Sequence, residues 1–235
     1  MKDKQLELRL IFKEGTRRDL TYYTVDWPKN KPLVVATLDT FDSGNHVRVR
    51  RIVTDFIRAN VPRGHAIYFA VASEKESTHE EMKRILQSRA DSSQILMPTM
   101  SSRSRLEKIF SIQRREARVR ILVASTHTDA VLEDLFKTYF HEWYMESIIP
   151  FIVSIDEPPL WESQLRNLTR PRNRAVVSRE TVESSHCLIT TQWEHGLIFL
   201  SDKVTRPDLA KTTSRIAEVN GLKLSIETQG ASEAN

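Results

Sequence analysis

The chain has 235 residues, 40% of them hydrophobic and 28% charged, with 35 Lys and Arg against 31 Asp and Glu. Its single cysteine, Cys187, excludes an intrachain disulfide and a cysteine-rich zinc site, and no run reaches the ~18 apolar residues of a membrane span. The formal charge of +4 permits a nucleic-acid partner without requiring one.

The length fits one large domain, or one domain with small additions. Met1-Lys2-Asp3-Lys4-Gln5-Leu6-Glu7 has no apolar stretch like that of a signal peptide. A soluble chain is therefore expected, intracellular in the cytoplasm or nucleus, with no membrane partner. Residues 6–12 alternate as a strand does, and residues 21–27 form a second candidate. Pro28-Lys29-Asn30-Lys31-Pro32 is the best internal boundary. Leu33 to Leu38 is a short buried strand, followed by the turn chemistry of Asp39-Thr40-Phe41-Asp42-Ser43-Gly44-Asn45. Val49, Ile52, Val53, Phe56 and Ile57 then recur at helical spacing, predicting a helix over 46–60 that carries Arg48, Arg50, Arg51 and Arg58 on its other face.

Ala66 to Ala72 is the next buried strand. Thr78 and Glu81 form a capping-box pattern before a helix through Leu86. Gln94 to Met97 is a short strand. Ser101 or Ser102 caps another helix, and residues 101–120 hold seven Arg and Lys against two Glu. Val119 to Ala124 is a strand. Asp129 caps a helix whose apolar pairs, from Val131/Leu132 to Trp143/Tyr144, give a wide stripe. Residues 148–155 form a strand, and Pro158 and Pro159 open a short helix. Residues 175–178 form a short strand, 188–191 and 196–200 a hairpin, and 205–219 a helix; 228–235 are polar and expected to fray. There is no internal repeat and no low-complexity segment.

Three regions follow: a β extension over 1–30, an α/β core over 31–180, and a hairpin plus helix and frayed tail over 181–235. Strands alternating with amphipathic helices predict a mostly parallel sheet with helices on both faces, of RecA-like or Rossmann-like kind. Ligands of such sheets sit beyond the carboxyl ends of the strands. The expected functional edge therefore carries Asp39, Asp42, Ser73, Thr99, Ser125 to Asp129, and Asp156-Glu157.

The order of segments from 46 to 178 resembles the second RecA-like domain of superfamily 2 helicases. The strand Ala66 to Val71, the segment Met100-Ser101-Ser102-Arg103-Ser104-Arg105-Leu106, the strand Val119 to Ser125, Ile155-Asp156-Glu157-Pro158 and the arginine-bearing stretch Trp161 to Arg174 carry the likeness. The family's glycine and aspartate after the 119–125 strand are replaced by Thr126-His127-Thr128-Asp129. Gln164, Arg166, Arg170 and Arg174 supply residue types of its final motif without the glycine or the spacing. No Gly-x-x-x-x-Gly-Lys-Ser/Thr loop occurs, so the resemblance implies a detached or degenerate half without autonomous NTPase activity and with no cofactor.

The arginine cluster Arg166, Arg170, Arg172 and Arg174 has no acid between Leu165 and Arg179, and guanidinium forks bind phosphate bidentately. Arg103, Arg105, Arg114 and Arg115 would support it. The bland reading is a solvated turn at Pro171 and Asn173. The expected function is thus association with DNA or RNA through the phosphate backbone. A second reading is a metal-dependent phosphoester enzyme using Asp39, Asp42, His127 and Asp156. A third is a protein-interaction module with Tyr139, Phe140, Trp143 and Tyr144 as its face. Cys187 next to His186 could form a reactive pair, but adjacent residues on a strand point to opposite faces. Trp193 and His195 could stack on a base.

Overall fold

The computed structural model describes residues 7–14, 18–20, 23–25, 27–28, 30–40, 46–73, 76–89, 92–96, 120–126, 130–141, 151–155, 175–192 and 196–230. Strand β1 (Glu7–Lys13) alternates between half-buried and buried positions, with Leu8, Leu10 and Phe12 inside. The other strands of the large sheet are β4 (Val34–Thr40), whose residues Val34 to Leu38 are all buried, and β5 (Ala66–Ser73), β6 (Ser92–Leu96), β7 (Arg120–Thr126) and β8 (Phe151–Ile155). With them go β10 (Cys187–Gln192), β11 (Gly196–Ser201) and β12 (Lys223–Gln229). These nine strands make one sheet in the order β12-β1-β4-β11-β10-β8-β5-β7-β6. Three short strands, β2 (Arg18–Leu20), β3 (Tyr23–Val25) and β9 (Ala175–Val177), make a second, small sheet.

The helices are α1 (His46–Asn60), α2 (Glu76–Arg89), α3 (Ala130–His141), the short α4 (Arg179–Glu183) and α5 (Arg206–Val219). Helix α1 has the bounds its periodicity predicts, and Val49, Ile52, Val53, Phe56 and Ile57 are all buried. Thr78 falls inside α2 rather than ahead of it, because α2 begins at Glu76. The predicted helix over 101–118 and the short helix after Pro158 lie outside the described residues, as does the cap Asp129.

The expectation of a mostly parallel, RecA-like sheet is wrong. In the nine-stranded sheet only β1 and β12 pair in parallel, and every other neighbouring pair is antiparallel. The physical reason is specific. Each long helix does join two strands of the same direction: β4 to β5, β5 to β6, β7 to β8 and β11 to β12. These strands are not neighbours, however. β7 lies between β5 and β6, β5 lies between β7 and β8, and β1 and β4 lie between β11 and β12. At least one strand of opposite direction stands in each gap, so local βαβ signals coexist with antiparallel pairing.

Nor do the long helices among the described residues cover both faces. Leu8, Leu10 and Phe12 of β1, Ala36 and Leu38 of β4, Ile189 and Phe199 share one core with buried residues of α1, α3 and α5. Ile85 of α2 packs against the same core. The four long helices therefore form a row on one face, α5-α1-α3-α2. The right-handed crossover rule accounts for this. The two crossovers that travel back across the sheet start from strands of reversed direction, and the two reversals cancel.

On the other face, Val35, Leu188, Thr190, Ile198 and Leu200 are buried too. Val25 of β3, Val177 of β9, and Thr181 and Val182 of α4 are buried outside the helix-side core. Helix α5 begins at the N-cap Thr205 and ends in a Schellman turn: Gly221, at φ 64°, donates to Glu218 O, and Leu222 donates to Ala217 O at 2.8 Å. That turn feeds β12 back alongside β1, so the first and last strands pair.

Candidate functional site

Alternating strand direction divides the expected functional edge. Strands β4, β5, β6 and β10 end at one edge of the sheet, while β1, β7, β8, β11 and β12 end at the other. Asp39 and Ser73 belong to the first edge, and the strands preceding His127 and Asp156 end at the second. Strands of about seven residues put the two edges roughly 20 Å apart. A single carboxylate site drawing on β4, β7 and β8 ends is therefore not what the sheet builds.

Asp39 itself has a partner. It stands opposite Arg9 in the antiparallel β1–β4 register, and the two side chains form an ion pair at 3.9 Å. Asp42, His127, Asp129, Asp156 and Glu157 lie outside the described residues, and so do Trp193 and His195. Arg166, Arg170, Arg172, Arg174, Arg103, Arg105, Arg114 and Arg115 lie outside them as well. Among the described residues, no three His, Cys, Asp or Glu side chains come together as metal ligands would.

The basic face of α1 is described, and it is structural. Arg48 donates to the C-cap carbonyl of α5, Asn220 O, at 2.8 Å. Arg50 donates to Lys137 O of α3 at 3.2 Å. Arg58 pairs with Glu133 of α3. Asn220 in turn donates to Asp55 at 3.1 Å. Because α1 lies between α5 and α3, Arg48, Arg50 and Arg58 reach sideways to both neighbours, while Arg51 pairs with Asp55 one turn on in α1 itself.

A second polar cluster joins residues distant in the chain, of which sequence reasoning singled out only His186, beside Cys187. At the second edge, His65 follows the turn that ends α1, and His186 precedes β10. Their rings meet edge to face, with centroids 5.6 Å apart. Ser201 donates to His186 O at 2.6 Å, and Lys203 donates to Glu183 O and to Asp202, each at 2.8 Å. Burial holds His186 below its ordinary 6.5; the nearby charges of His65 and Lys203 push the same way, and Asp202 opposes them. Cys187 is buried, its thiol directed at Asn60 O at 3.5 Å. The thiol thus has a carbonyl partner and the His186 ring a neighbouring imidazole. Two buried hydroxyls, Thr37 and Thr190, flank Ile198 on the face away from the long helices and have no hydrogen-bond partner, an unusual cost for a sheet interior.

No protein-family model matches this chain, and neither does any curated protein or solved structure. No helix among the described residues is long and apolar enough to cross a membrane.

Proposed function

We propose that this protein binds nucleic acid through the phosphate backbone, using the basic segments that join its strands rather than the helix row. One observation carries this reading. Residues 97–119, which join β6 to β7, hold six Arg and Lys and two Glu, a net +4 that equals the charge of the whole chain. The rest of the sequence is balanced. Arg48, Arg50 and Arg58 of α1 are held by neighbouring helices and Arg51 pairs with Asp55 of its own helix, while Arg103, Arg105, Arg114 and Arg115 lie in the segment that carries the surplus charge. Arg166, Arg170, Arg172 and Arg174 form a second group, in the segment between β8 and β9.

The two segments leave the large sheet from opposite edges, so each is tested alone. Fluorescence anisotropy of labelled single- and double-stranded DNA and RNA, at low and raised salt, is the measurement. Binding is expected to weaken steeply with salt. Replacing either group of four arginines with alanine should lower the log–log salt slope by about 3 to 4 if all four touch phosphate. A folded protein with no binding at low salt rules the function out. Unchanged binding in both variants rules these residues out.

A further inference from the structure

We propose that β12 is a self-association edge, on which a second copy of this chain pairs antiparallel about a two-fold axis at Ser225. Among the described residues, β12 is the outermost strand at its end of the sheet. Its inner side is committed to β1 from Glu7↔Lys223 through Lys13↔Gln229. Glu14 donates to Gln229 O at 3.0 Å. The backbone groups of Gln229, and by alternation those of Glu227, Ser225 and Lys223, therefore face β1. Those of Leu224, Ile226 and Thr228 face outward, as donors and acceptors for another strand.

The sequence of the strand, Lys223-Leu224-Ser225-Ile226-Glu227, is self-complementary about its middle residue. Antiparallel pairing centred on Ser225 sets Lys223 of each copy opposite Glu227 of the other. Both lie on the face away from the long helices and both are exposed. The same register pairs Leu224 with Ile226 on the helix side, because their β1 partners, Leu8 and Leu10, belong to the helix-side core. Ile226 is 51% exposed in the single chain, one of few large apolar side chains so open among the described residues. Leu224 and Ile226 would exchange backbone hydrogen bonds across the axis, while Lys223–Glu227 and Ser225–Ser225 would be the closer, non-bonded pairs. The Ser225 hydroxyl is buried without a hydrogen-bond partner in the single chain, and this register sets it opposite its counterpart. A shift to an axis at Ile226 would put Ser225 opposite Glu227 and lose both ion pairs. A lysine on an edge strand normally discourages pairing; here a glutamate at the matching distance neutralises it only for a copy of the same strand.

The test is sedimentation velocity of the full chain over a wide concentration range. The expected result is reversible association to twice the 27.2 kDa chain mass. Glu227→Lys should weaken the dimer about tenfold or more by opposing two like-charge pairs, and Lys223→Glu combined with Glu227→Lys should restore it. Both positions are exposed, so circular dichroism should be unchanged. Ser225→Cys should form a disulfide-linked dimer on oxidation with diamide, while Ile226→Cys should not; Cys187 is buried and stays silent. A chain monomeric at every concentration overturns the proposal. So does a dimer indifferent to Glu227→Lys, a charge swap that fails to rescue, or cross-linking at 226 in place of 225.

Discussion

Gly196 is the residue on which the β10–β11 hairpin depends. It opens β11 at φ 98°, and a Cβ there would run into the carbonyl oxygen of Leu38 on the neighbouring strand. Gly196→Ala is expected to cost about 2–4 kcal/mol, combining a disfavoured backbone with displacement of a strand that cannot move alone. Gly221→Ala is the control: it shares the positive φ but has open space around it, so about 1 kcal/mol is expected. Urea unfolding of both variants checks this, and equal costs would show that the close approach to Leu38 does not matter. Single-residue features of this kind divide by sequence range. Gly196 could be read as a turn glycine because its role begins locally, but its clash partner is 158 residues away in the chain. The contact between His65 and His186 spans a similar gap, and neither residue carries a motif that announces the other.

At the scale of elements, α1 shows how two kinds of residue hold one helix in place. Its apolar stripe is buried, and Phe56 meets Phe199 edge to face with ring centroids 6.0 Å apart. Arg48, Arg50 and Arg58 bind neighbouring helices. Phe56→Ala is expected to cost about 3–5 kcal/mol through lost burial and a cavity. Arg50→Ala should cost only about 1–2 kcal/mol, since one charged hydrogen bond in partial contact with water is exchanged for solvation. Chemical denaturation of the two variants decides it; a loss at Arg50 matching that at Phe56 would mean that α3 depends on this arginine for docking. Elements with strong periodicity, such as α1, β5 and α5, were readable from sequence because burial writes its period directly. Strand β12 was not, because it lies at a sheet edge with one side open, and its residues alternate too weakly to stand out from a polar tail. Helix α4 is too short to show a stripe. The basic face of α1 was visible, but its meaning was not, because Asn220 and Lys137 reach it only through the tertiary fold.

Sheet order belongs to the whole molecule, and no local pattern encodes it. Each helix crossover was legible as a βαβ unit, yet the strand that enters each gap comes from a distant part of the chain. The same long-range assembly brings three chain segments to the His65–His186 contact: the turn after α1, the joint between α4 and β10, and the turn from β11 into α5. Stability of the whole fold should therefore respond to pH through this cluster. Burial first, then the neighbouring charges of His65 and Lys203, holds His186 below 6.5 when folded, against the pull of Asp202. Between that lowered value and the ordinary 6.5 of the unfolded chain, the unfolded state binds more protons. The contribution of neutral His186 is thus fully present above the unfolded value and is lost as pH falls through the folded one. Urea midpoints should decline from about pH 7.5 to about pH 5.5, a window above most carboxylate titrations. His186→Gln should flatten that decline. His65→Gln should flatten it only in part, because burial, the larger cause, remains. An equal slope in the native chain and in His186→Gln would show that the cluster opens to water before it protonates and does not couple these three segments.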